Sequence, residues 1–126
     1  MIHLDTSVLI AALTGPRELA LPLRRAIAAG ERLALSSLVL YEWRRGPRTA
    51  DELADQEALL PAEGAVPFGP LEARRAAVLY KGLRKGRGRE IDIAIAACAI
   101  AHRAALWTLN PSDFRDLPGL SVYVAR

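Results

Sequence analysis

Short apolar runs bounded by turn residues alternate along this chain with longer segments whose apolar positions recur at helical spacing. The runs at Ile2 to Asp5, Leu33 to Leu35, Ala65 to Phe68, Leu106 to Leu109 and Val122 to Val124 predict five strands. Between them, Ser7 to Leu13 predicts a helix stopped at Gly15-Pro16. Arg17 to Ala29 predicts a second, with Leu19, Leu23 and Ile27 in helical register and Gly30 at its end. Ser36 and Ser37 are placed to cap a helix that carries Val39 to Trp43 up to Gly46-Pro47. Thr49 to Leu60 reads as a polar-faced helix, and Pro70 to Leu83 as one with proline at its start, where a missing N–H does no harm. Ile91 to Ala101 reads two ways, because Ile91, Ile93 and Ile95 alternate as in a strand. Its length and alanine content favour a buried helix with Asp92 in the first turn, and the next strand follows too soon to leave room for another crossover. Alternation of this kind predicts a parallel sheet with helices on both faces.

Composition narrows the class. With 126 residues, 52% of them hydrophobic, the chain is expected to form one domain over residues 1–126 with its own core. There is neither a run of apolar residues long enough for a membrane span nor a signal-peptide pattern, so a cytoplasmic location is expected. Cys98 is the single cysteine and lies in an Ala/Ile-rich run; it reads as a small buried thiol, and disulfide or cysteine-bound zinc chemistry is excluded within the chain. The formal charge is +3 and nearly all the positive residues are arginines, whose planar fork suits phosphate oxygens. That leans toward nucleic acid, although a charge of this size also serves ordinary solubility.

The chemistry lies in four acids, each beside an apolar run: Asp5, Glu42, Asp92 and Asp113. Singly, Asp5 would also serve as a helix cap, and Asp92 and Asp113 as favourable charges in first turns. Together they fall where an open parallel sheet collects ligands, at the carboxyl ends of its strands: Asp5 ends the first, Glu42 follows the second, and Asn110 and Asp113 follow the strand at Leu106 to Leu109. Asp92 joins them if its helix starts at the same edge. Carboxylates about 4 Å apart repel by roughly 1 kcal/mol per pair in water and about 4 kcal/mol at an effective dielectric of 20, so such a cluster calls for shared protons or a cation. All-oxygen donors favour Mg²⁺ or Mn²⁺. His3 and His102 sit in no metal-ligand pattern and read as structural. A carboxylate-held magnesium that completes its shell with substrate phosphate points to phosphodiester hydrolysis.

LDTSVLI at the start, the EW-type acid Glu42, D-x-x-IAA at Asp92 to Ala97 and T-x-N-x-x-DF at Thr108 to Phe114 resemble, in order and over essentially the whole chain, a PIN-domain ribonuclease. The small size is similar to that of VapC toxins of type II toxin-antitoxin systems. The resemblance implies an α/β/α three-layer sandwich with a mostly parallel five-stranded sheet, and Mg²⁺- or Mn²⁺-dependent endonuclease action on tRNA or rRNA. It implies Asp5, Glu42 and Asp92 as catalytic, metal-binding acids with Asp113 as a more variable fourth. Thr6, Thr108 and Asn110 fall at supporting positions, while Thr6 would equally cap a helix and Asn110 serve the turn before Pro111. A VapB-type antitoxin that blocks the site and a homodimer of the toxin are implied as partners.

Glu90, two positions before Asp92, would point to another helix face and reads as solvated or paired with an arginine. Arg44, Arg45 and Arg48 follow Glu42, and Lys81, Arg84, Lys85, Arg87 and Arg89 crowd a glycine-rich stretch just before Asp92. These are either a solvated loop or an electrostatic hold on RNA, for which Arg44, Arg45, Arg84, Lys85, Arg87 and Arg89 are the candidates. Trp43 and Tyr80 are weak base-stacking candidates that read better as core. Three rival readings remain. An aspartyl-nucleophile phosphatase would want an acid where Ser7 stands. The others are a non-catalytic, RNA-binding or regulatory protein of the same fold, and a housekeeping PIN nuclease without an antitoxin.

Overall fold

The computed structural model describes residues 1–125. Four parallel strands form one sheet: β1 (Ile2–Leu4), β2 (Leu33–Ala34), β3 (Ala105–Trp107) and β4 (Ser121–Val122), in the order β2-β1-β3-β4. Ile2 pairs with Leu33 on one side and Ala105 on the other, so the amino ends of the central strands lie level.

Six α-helices surround the sheet: α1 (Thr6–Thr14), α2 (Leu21–Ala28), α3 (Ser37–Arg45), α4 (Ala50–Leu59), α5 (Pro70–Gly82) and α6 (Glu90–Ala101). Alternation along β1 and β3 divides the core in two. Ile2, Leu4 and Trp107 face Val8, Leu23 and Ala26 on one side. Leu106 faces the larger cluster on the other, built from Leu35, Val39, Trp43, Leu79, Ile93, Ile95 and Phe114. Every residue from Ile93 to Ala99 is buried, so α6 is the central helix of that layer; its alanines allow α5 to approach closely. The ambiguous isoleucine stretch is therefore a helix, with Asp92 in its first turn.

Two expectations are corrected. Ala65 to Phe68 does not form a fifth strand: only Val66 pairs, through a parallel bridge to Ser36, and Pro67 has no N–H with which to continue the ladder. The segment from Arg17 is not one helix but a 3-10 turn (Arg17–Ala20) followed by α2, with Pro22 in the first turn of α2. Of its three helical-register residues, Leu23 is buried, whereas Leu19 and Ile27 are exposed.

The other local signals are realised as physical caps. Ser36 accepts from the Val39 N–H, and Thr49 and Glu52 form a reciprocal capping box on α4. Gly15 closes α1 where a Cβ would come within 2.7 Å of the Ala11 carbonyl oxygen. No helix among the described residues is long and apolar enough to cross a membrane.

Candidate metal centre

β1 sits between β2 and β3, with β2 on one side and β3 and β4 on the other, so the strand order reverses at β1 and the carboxyl ends of β1 and β3 are where an open parallel sheet gathers ligands. Asp5 and Thr108 are the first residues beyond these two strands, and the Asp5 N–H donates to the Trp107 carbonyl at 2.8 Å, locking the strand ends side by side.

Asp5 holds the N-cap position of α1 but caps nothing with its side chain. Its Oδ2 instead accepts from Thr108 Oγ1 and Ser7 Oγ, both at 2.8 Å, and no hydrogen bond is made to Oδ1 among the described residues. The two hydroxyls are fixed in turn: Leu109 N–H donates to Ser7 Oγ at 3.0 Å and Asn110 N–H to Thr108 Oγ1 at 3.0 Å. A 94%-buried carboxylate thus has one oxygen pinned and one left available. Ser7 belongs to this network and was not singled out from the sequence; the signal was its place in the first turn after Asp5, where a side chain turns back toward the strand end.

Thr6 donates from Oγ1 to Glu42 Oε1 at 2.6 Å, which carries the acid of α3 to the start of α1. The other Glu42 oxygen lies 3.5 Å from Arg45 Nη2, one turn further along α3. Thr6 therefore does not cap its helix with its hydroxyl.

Asp92 makes no side-chain hydrogen bond or ion pair among the described residues. Burial raises its pKa above the ordinary carboxylate range, and the negative charges of Asp5, Glu42 and Asp113 raise it further, with Arg89 opposing. The Arg89 guanidinium donates to the Asp113 carbonyl at 2.8 Å, which sets the start of α6 beside the turn that follows β3. Among the described residues no three His, Cys, Asp or Glu side chains close on a single point tightly enough to enclose an ion. The four acids offer only oxygen donors, one Asp5 oxygen and the whole Asp92 carboxylate are unengaged among the described residues, and their mutual repulsion is of the sign a divalent cation relieves, so the chemistry of the donor set fits a hard divalent cation.

Asp113 lies in a 3-10 turn (Pro111–Phe114) after β3, anchored by the buried Phe114. The Asn110 side chain is exposed, and the hydrogen bonds found for this residue use its backbone. Glu90 turns back to accept from the Gly88 N–H at 3.1 Å and stays exposed. Its own backbone N–H and that of Gly88, with help from Arg87, hold its carboxyl below the usual range.

The basic candidates divide. Arg84, Lys85 and Arg87 are exposed, as are Arg44, which donates to Gln56 Oε1 at 3.1 Å, and Arg45. Arg89 is different: it is held by four hydrogen bonds to its surroundings. The glycines of this stretch build a turn, with Gly88 at φ +87° and Gly86 buried where a Cβ would meet the Tyr80 ring at 2.8 Å. Tyr80 is 39% exposed against it and so is not core, whereas Trp43 is fully buried beneath the Arg48 guanidinium, 4.3 Å from the ring centroid.

At the opposite edge of the sheet His102 Nε2 lies 3.1 Å from Glu72 Oε2, and burial lifts the Cys98 thiol to about 11. Both histidines and the cysteine stand apart from the acids.

Comparison with known proteins agrees with this geometry. The PIN domain profile matches residues 2–120. Ribonuclease VapC19 of Mycobacterium tuberculosis is 33% identical over 124 residues, covering 93% of this chain and 94% of the relative. Among solved structures, the toxin-antitoxin complex from Klebsiella pneumoniae superposes with a TM-score of 0.73 at 25% identity, covering all of both chains. VapBC-5 from Mycobacterium tuberculosis, of the VapBC family of toxin-antitoxin systems, superposes with a TM-score of 0.63 at 30% identity, covering 98% of this chain and 96% of that one.

Proposed function

The chain belongs to the PIN-domain family and to its VapC-type ribonucleases, and from that premise we propose that it is a Mg²⁺- or Mn²⁺-dependent endoribonuclease acting on tRNA or rRNA as the toxin of a toxin-antitoxin pair. The observation that carries the catalytic reading is Asp92: a carboxylate with no hydrogen-bond or ion-pair partner among the described residues, its pKa raised first by burial and further by the charges of Asp5, Glu42 and Asp113.

Asp5, Glu42, Asp92 and Asp113 would hold a divalent cation, which would supply Lewis acidity at a phosphoryl oxygen and a water of lowered pKa for in-line attack. The protein's own part is orientation. Ser7 and Thr108 fix Asp5 by one oxygen and leave the other without a hydrogen bond among the described residues, and Thr6 fixes Glu42. Asp92 is contributed by the first turn of α6 and Asp113 by the 3-10 turn after β3. The exposed arginines beside Glu42, Arg44 and Arg45, and the turn bearing Arg84, Lys85 and Arg87 provide positive charge along two borders for a phosphate backbone. The relatives solved as toxin-antitoxin complexes support a VapB-type antitoxin as partner, and the ribonuclease relative supports RNA as substrate.

The test is incubation of the purified, antitoxin-free protein with total tRNA and rRNA in Mn²⁺ or Mg²⁺, then in EDTA, with Asp5→Asn alongside. Discrete fragments that need metal and disappear in the variant are expected. RNA that is bound but left intact by the wild type would favour a non-catalytic RNA-binding role.

A further inference from the structure

Arg89 precedes α6, and its guanidinium reaches to the turn that carries Asp113. Nη1 and Nη2 donate to Asp116 Oδ2 and Oδ1 at 2.9 and 2.7 Å, a bidentate pair. Nη2 also donates to the Asp113 carbonyl at 2.8 Å, and Nη1 to the Lys85 carbonyl at 3.1 Å. One side chain therefore ties three backbone segments together: the basic turn, the start of the helix bearing Asp92, and the turn bearing Asp113. Little of its donor capacity is left for a phosphate, in contrast to its exposed neighbours Arg84, Lys85 and Arg87.

We infer that Arg89 and Asp116 form a positioning clamp that sets Asp113 against Asp92 across the metal site, and that Arg89 is not an RNA contact. This rests on the metal-dependent reading above. The physical reason is that Asp113 sits in a short 3-10 turn, whose backbone is held by few hydrogen bonds of its own, whereas Asp92 sits on a buried helix. The planar fork fixes the direction of the join as well as its length. Lysine at this position would keep the charge and lose the geometry.

The clamp and a simple charge effect predict different signs. Arg89 is a positive charge near the acids, so through its field alone Arg89→Gln would strengthen cation binding and Asp116→Asn would weaken it. A clamp requires both to weaken it, because either loss frees the Asp113 turn. The measurement is Mn²⁺ binding to the purified full chain without RNA, by electron paramagnetic resonance of free Mn²⁺, at high ionic strength where exposed charges are screened. Arg89→Gln and Asp116→Asn are each expected to weaken binding about tenfold, the low end for residues that orient metal ligands, and the double variant to be no worse than the more severe single one. Arg89→Lys should resemble Arg89→Gln. It also serves if Arg89→Gln fails to fold by far-ultraviolet circular dichroism.

Opposite signs for the two single substitutions, or an Arg89→Lys variant that binds Mn²⁺ like the wild type, would leave only a charge effect and overturn the clamp. So would unchanged Mn²⁺ affinity with a raised KM for RNA, which would make Arg89 a substrate contact. Wild-type protein that binds no Mn²⁺ would overturn the metal reading and this inference with it, an outcome distinct from wild-type binding that the variants match.

Discussion

His3 provides a quantitative test of how the sheet's centre is built. It lies on β1 two residues before Asp5, only 1% exposed, with neither ring nitrogen hydrogen-bonded among the described residues; its ring centroid is 5.8 Å from that of His102. Burial above all, with smaller contributions from His102 and the chain's amino terminus, lowers its pKa from 6.5 to about 4. The folded chain therefore keeps this ring neutral over a range in which the unfolded chain protonates it. Between those two values the unfolded state binds more protons, so stability falls as pH drops through the window and levels off below it. The difference of 6.5 − 4 is about 2.5 units, which at 1.36 kcal/mol per unit amounts to roughly 3 kcal/mol in full and about 2 kcal/mol by pH 5. Against a total stability of roughly 5 to 15 kcal/mol this is a large effect.

The assay is urea denaturation of wild type and His3→Leu, each at about pH 7 and pH 5, with His102→Gln as a control for the neighbouring ring. Glu72, bonded to His102, has a carboxyl held below its ordinary value, chiefly by its own backbone N–H and with help from Gly69 and His102. Its stabilisation is present above the unfolded carboxylate pKa of 4.5 and is lost as pH falls below it, beneath the range of about pH 5 to 7 that the assay compares. Wild type is expected to lose about 2 kcal/mol more than His3→Leu. Equal losses would refute the claim that a buried, unpartnered imidazole sits at this position.

Two predictions concern the metal site. Thr108→Val removes a 2.8 Å donor from Asp5 Oδ2 together with the acceptor for the Asn110 N–H; RNA cleavage is expected to fall about tenfold or more and Thr108→Ser to restore it, as followed by fragment formation on gels. Asp92→Asn relieves the repulsion among the four acids, so the metal-free protein should melt at a higher temperature while the rise produced by Mn²⁺ shrinks; a scan in EDTA and in Mn²⁺ checks both, and an unchanged metal-induced rise would argue against Asp92 as a ligand.

Local chemistry was the legible part of this protein. Apolar runs flanked by Gly, Pro and Ser announce where elements start and stop, because capping and the missing proline N–H act within a few residues of sequence. Ser36, Thr49, Gly15 and Pro70 behave accordingly. The acids could be placed beyond strand ends because parallel strands expose those ends along one edge. The same local rules failed at Ala65 to Phe68, where strand-like residues pair at a single bridge, and at Leu19 and Ile27, where helical spacing did not mean burial. In each case pairing or packing partners far along the chain decided, and spacing carries no information about them.

By itself the sequence determined the class of fold and the place of most of its elements, since these follow from periodicity, caps and turn chemistry. Only the tertiary structure decided which atoms meet. It brought Ser7 and Thr108 onto one oxygen of Asp5, gave Thr6 to Glu42 rather than to a cap, and separated Arg89 from the free arginines around it by pairing it with Asp116. Those contacts join residues up to 103 positions apart, and hydrogen bonds act over about 3 Å, so they exist only once the sheet has been assembled.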